Sequence, residues 1–192
     1  MPFGGPFWIR RPSPDQLERI LDDQAGRPFT YDHIGATRSA APPGYMVEHF
    51  RWEIGSEAGS FERAVAALKD WAPQRGAGMQ LTPGSPVIAQ DESVVLLLPL
   101  MGGFVTAAAR VVYVVDEPHR YGFAYGTLPH HPEQGEEAFL VERDSGRVSF
   151  VIDVFSRPRH PLAWLGRPVA RLVQKRTTRR YLEGMLGALR EP

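Results

Sequence analysis

At 192 residues, 43% hydrophobic and 23% charged, the chain has the size and composition of one globular domain, which excludes a disordered or fibrous protein. It contains no cysteine, so disulfides, thiolate metal sites and cysteine nucleophiles are excluded. The zero net charge is polarised: Arg157 to Pro192 carries nine Lys or Arg against two Glu, a balance of +7, and the preceding residues carry −7.

The N-terminus has no basic stretch followed by an apolar core, so no signal peptide is read and a cytoplasmic location is expected. Residues 1–12 are expected to be irregular. Ser13-Pro14-Asp15-Gln16 starts a helix: Ser as N-cap, Pro in the first turn, Gln three residues on to complete a capping box. Leu17, Ile20 and Leu21 give it a short apolar stripe, ended by Gly26 and Pro28. A polar, Pro-rich passage runs to Gly44, and Tyr45 to Ile54 reads as a strand. Ser60 is expected to cap a second helix with Phe61, Val65, Leu68 and Trp71 on one face.

After Pro73 the pattern has period two. The strands predicted are Val94–Leu98, Phe104–Val115, Tyr121–Leu128, Glu137–Arg143 and Arg147–Phe155. Gly102-Gly103, Asp116-Glu117-Pro118 and Asp144-Ser145-Gly146 connect them, and such short turns join antiparallel neighbours. Val94 to Val115 is long and apolar enough to cross a bilayer, but it holds Pro99, Gly102-Gly103 and Arg110. Two buried strands fit it better, and no membrane span is expected. Gly166-Arg167-Pro168 opens a last helix that runs to Glu183, with Gly184 and Gly187 weakening its end. The reading is one α+β domain over residues 1–192: a curved antiparallel β-sheet closed by a long C-terminal α-helix, with two shorter helices earlier in the chain.

Tyr121-Gly-Phe-Ala-Tyr-Gly-Thr-Leu-Pro-His-His-Pro-Glu-Gln-Gly-Glu-Glu137, Phe155-Ser-Arg-Pro158, Gln174 and Arg180-Tyr181-Leu182 together resemble an uncharacterised bacterial and plant family. That family is placed with the START-like, helix-grip proteins, whose fold is that of the birch pollen allergen and of lipid-transfer domains. The resemblance extends from about Tyr31 to Leu189. His130 departs from it, standing where the family pattern has Gly and adding an imidazole. The resemblance implies a sheet wrapped around the C-terminal helix with a cavity between them, and brings no known activity.

Four segments carry candidate chemistry. Alternation places Tyr121, Phe123, Tyr125 and Thr127 on one strand face, and Gly122, Ala124 and Gly126 on the other. Either face can line a pocket with the tyrosine hydroxyls as polar anchors, or serve only aromatic packing and helix docking. His130 to Glu137 is rich in side-chain ligands. His131 with Glu133 or Glu136 suits a metal or a general acid–base pair, while the alternative is a hairpin loop that these groups pin. No zinc spacing is present, and no metal or other cofactor is expected. In the last helix, Gln174, Thr178 and Tyr181 align with Leu182, Met185 and Leu189. Polar atoms are therefore expected to face the sheet, where a ligand head group or water would satisfy them. The face of Leu165, Val169 and Leu172 is rotated from that one, which a simple helix break would also explain. Arg110 and Asp153 each interrupt an apolar strand; they pair if both point inward, or else lie on a solvated face.

Three functions are compatible with these residues. The first is a carrier or sensor that binds a hydrophobic small molecule or lipid between sheet and helix, with Tyr121, Phe123, Tyr125, Thr127, His131, Glu133, Arg110, Asp153, Gln174, Thr178 and Tyr181 as its candidate contacts. The second is a hydrolase or cyclase using the same space, with His131, Glu133 and a tyrosine handling protons. No nucleophile elbow, phosphate loop or dinucleotide fingerprint is present. The third is binding of nucleic acid or an anionic membrane through the basic tail. It is disfavoured because the charges wrap around the helix and the acidic remainder of the chain is available to neutralise them.

Overall fold

The meander that the short turns predict is present. The computed structural model describes residues 5–100, 102–159 and 167–190, the last with side chains from Arg176 onward. In chain order the elements are β1 (Phe7–Trp8), α1 (Pro14–Gln24), a 3₁₀ turn (Ala36–Arg38), β2 (Met46–Gly55), α2 (Ser60–Lys69), α3 (Ala72–Gly76), β3 (Gln80–Thr82), β4 (Ser93–Leu100), β5 (Gly103–Glu117), β6 (Arg120–Thr127), β7 (Glu133–Asp144), β8 (Arg147–Pro158) and α4 (Arg167–Ala188). The strands form one curved antiparallel sheet in the order β2-β8-β7-β6-β5-β4-β3, with β1 paired to β5. Residues 1–12 were expected to be irregular, yet Phe7 pairs with Val105 and Trp8 with Phe104.

Backbone chemistry fixes the hairpins. Ser145 and Gly146 both take positive φ between β7 and β8, the geometry whose twist matches antiparallel strands. Ser13 and Gln16 form the reciprocal capping box at the start of α1. The second helix differs from its prediction in two ways. Gly59 in the left-handed region is its cap, so Ser60 is already helical, and the helix stops at Lys69. Trp71, at φ 59°, begins the separate α3, so its ring is aimed by this break and not by the stripe of α2.

Both faces of the sheet are covered. On the inner face Val94, Leu96, Ala107, Ala109, Val111, Tyr121, Phe123, Tyr125, Phe139, Val141, Phe150 and Ile152 form one core with α2, α3, Tyr181 and Met185. On the outer face Leu17 and Ile20 of α1 pack with Val95, Leu97, Ala108 and Leu128, and Phe29 packs beside Ala124, Ala138 and Leu140. The polar, Pro-rich passage is therefore an outer layer. Its lock is Glu136, which is 2% exposed. One Glu136 oxygen accepts from the Tyr31 hydroxyl at 2.8 Å and the Gly35 amide at 2.7 Å. The other accepts from the Thr37 amide at 3.0 Å and from the Thr37 hydroxyl. Gly126 makes room for this layer, since a Cβ there would lie 2.0 Å from the Tyr31 hydroxyl.

The C-terminal helix does not weaken at Gly184. It continues to Ala188, and Gly184 is where it crosses α3: a Cβ on Gly184 would come 2.4 Å from the Ala72 carbonyl, and one on Gly76 2.2 Å from the Gly184 Cα. Two glycines are what allow the backbones to approach so closely. The expected face of Leu165, Val169 and Leu172, and the expected role of Gln174, fall outside the described residues or side chains. Val94 to Val115 forms the β4–β5 hairpin, and no helix among the described residues is long and apolar enough to cross a membrane.

Candidate functional site

The inner face has an apolar floor and a polar end. Across the strands run Trp52, Phe150, Phe139 and Phe123, with successive ring centroids 6.1, 6.4 and 5.8 Å apart. Trp71 lies on Phe123 at 4.8 Å and Tyr181 meets Phe139 edge-on at 5.2 Å. These rings fill the middle of the space. One step along the strands, Glu48 pairs with Val154, Val154 with Glu137 and Glu137 with Tyr125. Strand period places all four on the inner face.

In this row the Tyr125 hydroxyl donates to Glu137 Oε2 at 2.7 Å, and Tyr181 is a hydrogen-bond neighbour of Tyr125. Ser156 lies beside Glu133 and lowers its pKa against the effect of burial. Burial is the main cause that raises the Glu137 carboxyl to about 7; Glu133 and Glu48 add to the rise, and the Tyr125 hydrogen bond opposes it. Burial likewise raises Glu133, with Glu48 adding to it, and raises both tyrosines well above their ordinary value. Glu48, Glu133, Glu137 and Val154 nevertheless stay partly accessible. The Glu137 carboxyl is thus strongly desolvated while keeping some exposure to solvent. Among the described residues no cation contributes to the shifts of Glu133 or Glu137, so these carboxyls favour a proton or a hydrogen-bond donor over an anion.

The predicted residues divide between the faces. Phe123, Tyr125, Thr178 and Tyr181 are buried on the inner side, and Glu133 joins them at its polar end. Tyr121 is also inward, but it packs at the far end beneath the Lys69 ammonium, 4.7 Å from its ring centre. The Thr127 hydroxyl is used by Thr30 at 2.6 Å and by the Gly135 amide at 3.0 Å. Arg110 and Asp153 do not meet. Both lie on the outer face, Arg110 bonding Ser93 and the Gln24 carbonyl and Asp153 bonding His49 at 2.5 Å. Arg110 meets the α1 cover, while Asp153 lies on a partly solvated face beside exposed His49.

His131 is a turn residue. Its Nδ1 accepts the Glu133 amide at 3.0 Å, and burial lowers its pKa to about 4, so it is a poor proton acceptor at neutral pH. His130 bonds Thr106 at 2.8 Å, and positive φ at non-glycine residues is confined to Trp71, Asp91 and Ser145 among the described residues; this turn does not need the glycine of the family pattern. Glu136, the other suggested partner of His131, belongs to the outer lock. No cluster of three or more metal-ligating side chains exists among the described residues. Glu137 and Glu48 were the residues missed. Their signal was present: each is a charge in line with an apolar alternating face, Glu137 with Phe139 and Val141, Glu48 with Phe50 and Trp52.

A curved antiparallel sheet holding a C-terminal helix is the START-like, helix-grip fold. Two solved structures share it: a START superfamily protein from Mycobacterium smegmatis (TM-score 0.50, 12% identity, 76% of this chain and 97% of that one) and Ara h 8.0201 (TM-score 0.50, 12% identity, 76% and 98%). Within that class the chain belongs to the family described as "Domain of unknown function (DUF1990)", whose model matches residues 30–184. A relative called UPF0548 protein, from Deinococcus radiodurans, is 34% identical over 198 aligned residues, 95% of this chain and 98% of its own.

Proposed function

We propose that the protein binds an amphiphile in the space between the sheet and α4, as a carrier or sensor, with the chain of the ligand on the aromatic floor and its head at Tyr125 and Glu137. The observation that carries this reading is the Tyr125–Glu137 pair, hydrogen-bonded at 2.7 Å, with Glu137 still partly accessible beside the aromatic floor. Burying about ten methylenes at ~0.8 kcal/mol each gives about 8 kcal/mol before entropic costs. Affinity thus comes from the floor and selectivity from the head. With Glu48, Glu133 and Glu137 together, the preferred head is a hydroxyl or amine, and a carboxylate is repelled.

The test is native mass spectrometry of the purified protein, followed by titration with a long-chain amine and a fatty acid of equal length. The amine is expected to bind at least about ten-fold more tightly. Its affinity should rise as the pH rises through about 7, where Glu137 ionises. Glu137→Gln should abolish the preference. Failure to take up either probe, or equal binding of both, removes the reading.

A second reading draws on the same carboxyl: a group poised near pH 7 beside a tyrosine suits general acid–base catalysis. Here the proton handler is Glu137 and not His131. Under this reading, ligand extracted after incubation with the wild type differs in mass from ligand extracted from Glu137→Gln. Identical masses leave binding alone.

A further inference from the structure

In the described half of α4, the buried and charged residues take opposite sides. At about 100° per residue, Thr178, Tyr181 and Met185 point inward, and all three are buried. Arg176, Arg179, Arg180 and Glu183 fall within an arc of about 100° on the opposite side, and all are exposed, as is Arg190 just past the last turn. Arg167, Arg171 and Lys175, the other charges of the expected wrap, lie outside the described side chains. The ion pair that these arginines form among the described residues is Arg179–Glu183, within the helix itself. Half-buried Leu182 and Leu186 border the arginines. The face ends at an open cleft of about 310 Å³ whose lining includes Ile54, Arg63, Glu57, Leu189 and Arg190.

We propose that this face of α4, with its row of exposed arginines bordered by leucines, docks the protein on an anionic lipid bilayer. The charge is a strip one helix wide, with no exposed aromatic residue among its described positions on which a nucleic-acid base would stack. Leucines beside the arginines match the boundary between head groups and acyl chains. The helix that carries the strip also covers the inner space, so docking brings that space to the membrane in which an amphiphile resides. The choice of a bilayer as partner rests on the proposed function; the charge pattern is independent of it.

The experiment is flotation with phosphatidylcholine vesicles, with and without about one-third phosphatidylserine, at about 0.1 M and 0.5 M salt. The wild type should bind the anionic vesicles alone and be released by salt. Replacing Arg176→Gln, Arg179→Gln and Arg180→Gln together should weaken partitioning at least ten-fold, and by about a hundred-fold if each arginine contributes about five-fold. The triple variant should keep the wild-type melting temperature and wild-type uptake of a fluorescent amphiphile in solution, because these side chains point away from the core. Equal binding to neutral vesicles, no binding to either, or full binding by the triple variant overturns the proposal. So does displacement from vesicles by single-stranded RNA at equal phosphate concentration, which would assign the strip to nucleic acid. Vesicle binding without uptake of any amphiphile supports the docking face and refutes the proposed function; uptake without vesicle binding does the reverse.

Discussion

Glu136 and Glu137 are neighbours in sequence and face opposite sides of β7, with opposite consequences. Glu136 is a buried acceptor for two amides and two hydroxyls. Glu136→Ala strands these donors and is expected to cost about 3–5 kcal/mol, measured by urea denaturation. Glu137 should behave in the reverse way. Its folded pKa of about 7 lies above its ordinary 4.5, so the folded state holds more protons between those values and stability falls as pH rises across them. Glu137→Gln should remove that slope and be the more stable protein at pH 8. His131 works in the other direction: its folded pKa of about 4 lies below 6.5, so the unfolded chain takes up the extra proton and stability is lost as pH falls through that window. His131→Asn, which keeps an acceptor for the Glu133 amide, should flatten the acid side of the curve. The face of Glu137 was legible because strand period fixes it. The lock at Glu136 was not, because its partners come from Tyr31 to Thr37, about a hundred residues away in sequence.

At the scale of elements, close approach decides more than propensity. Gly184→Ala would favour an isolated helix by about 1 kcal/mol. In the protein it drives a methyl into the Ala72 carbonyl and Gly76 Cα, and a net loss of about 2–3 kcal/mol is expected, read as a lower melting temperature. In sequence a glycine near a helix end looks like a weak point, and only its tertiary neighbour on α3 shows it to be a crossing. The break at Trp71 was hidden for a similar reason. The apolar stripe from Phe61 to Trp71 has helical spacing, yet the left-handed turn at Trp71 is what lets its ring lie on Phe123 and near Tyr125. Turn chemistry, by contrast, is local, and the hairpins were legible from it.

For the whole molecule, the meander from β4 to β8 and the closing helix followed from short turns and period-two alternation, whereas the pairing of β2 with β8, β3 with β4 and β1 with β5 did not. The closing helix is not the only cover: α1 and the Pro-rich passage shield part of the other face. Arg110 lies against that second cover and Asp153 faces outward beside exposed His49, whereas the proposed amphiphile contacts the inner face. The most direct test of that placement is nuclear magnetic resonance of the protein with a long-chain amine, reading intermolecular contacts to side chains. Contacts to Val154, Ile152 and Tyr125 on the inner face are expected, with Ala124, Ala138 and Leu140 on the outer face unaffected. Contacts confined to the outer face, or none at ligand saturation, would contradict the account.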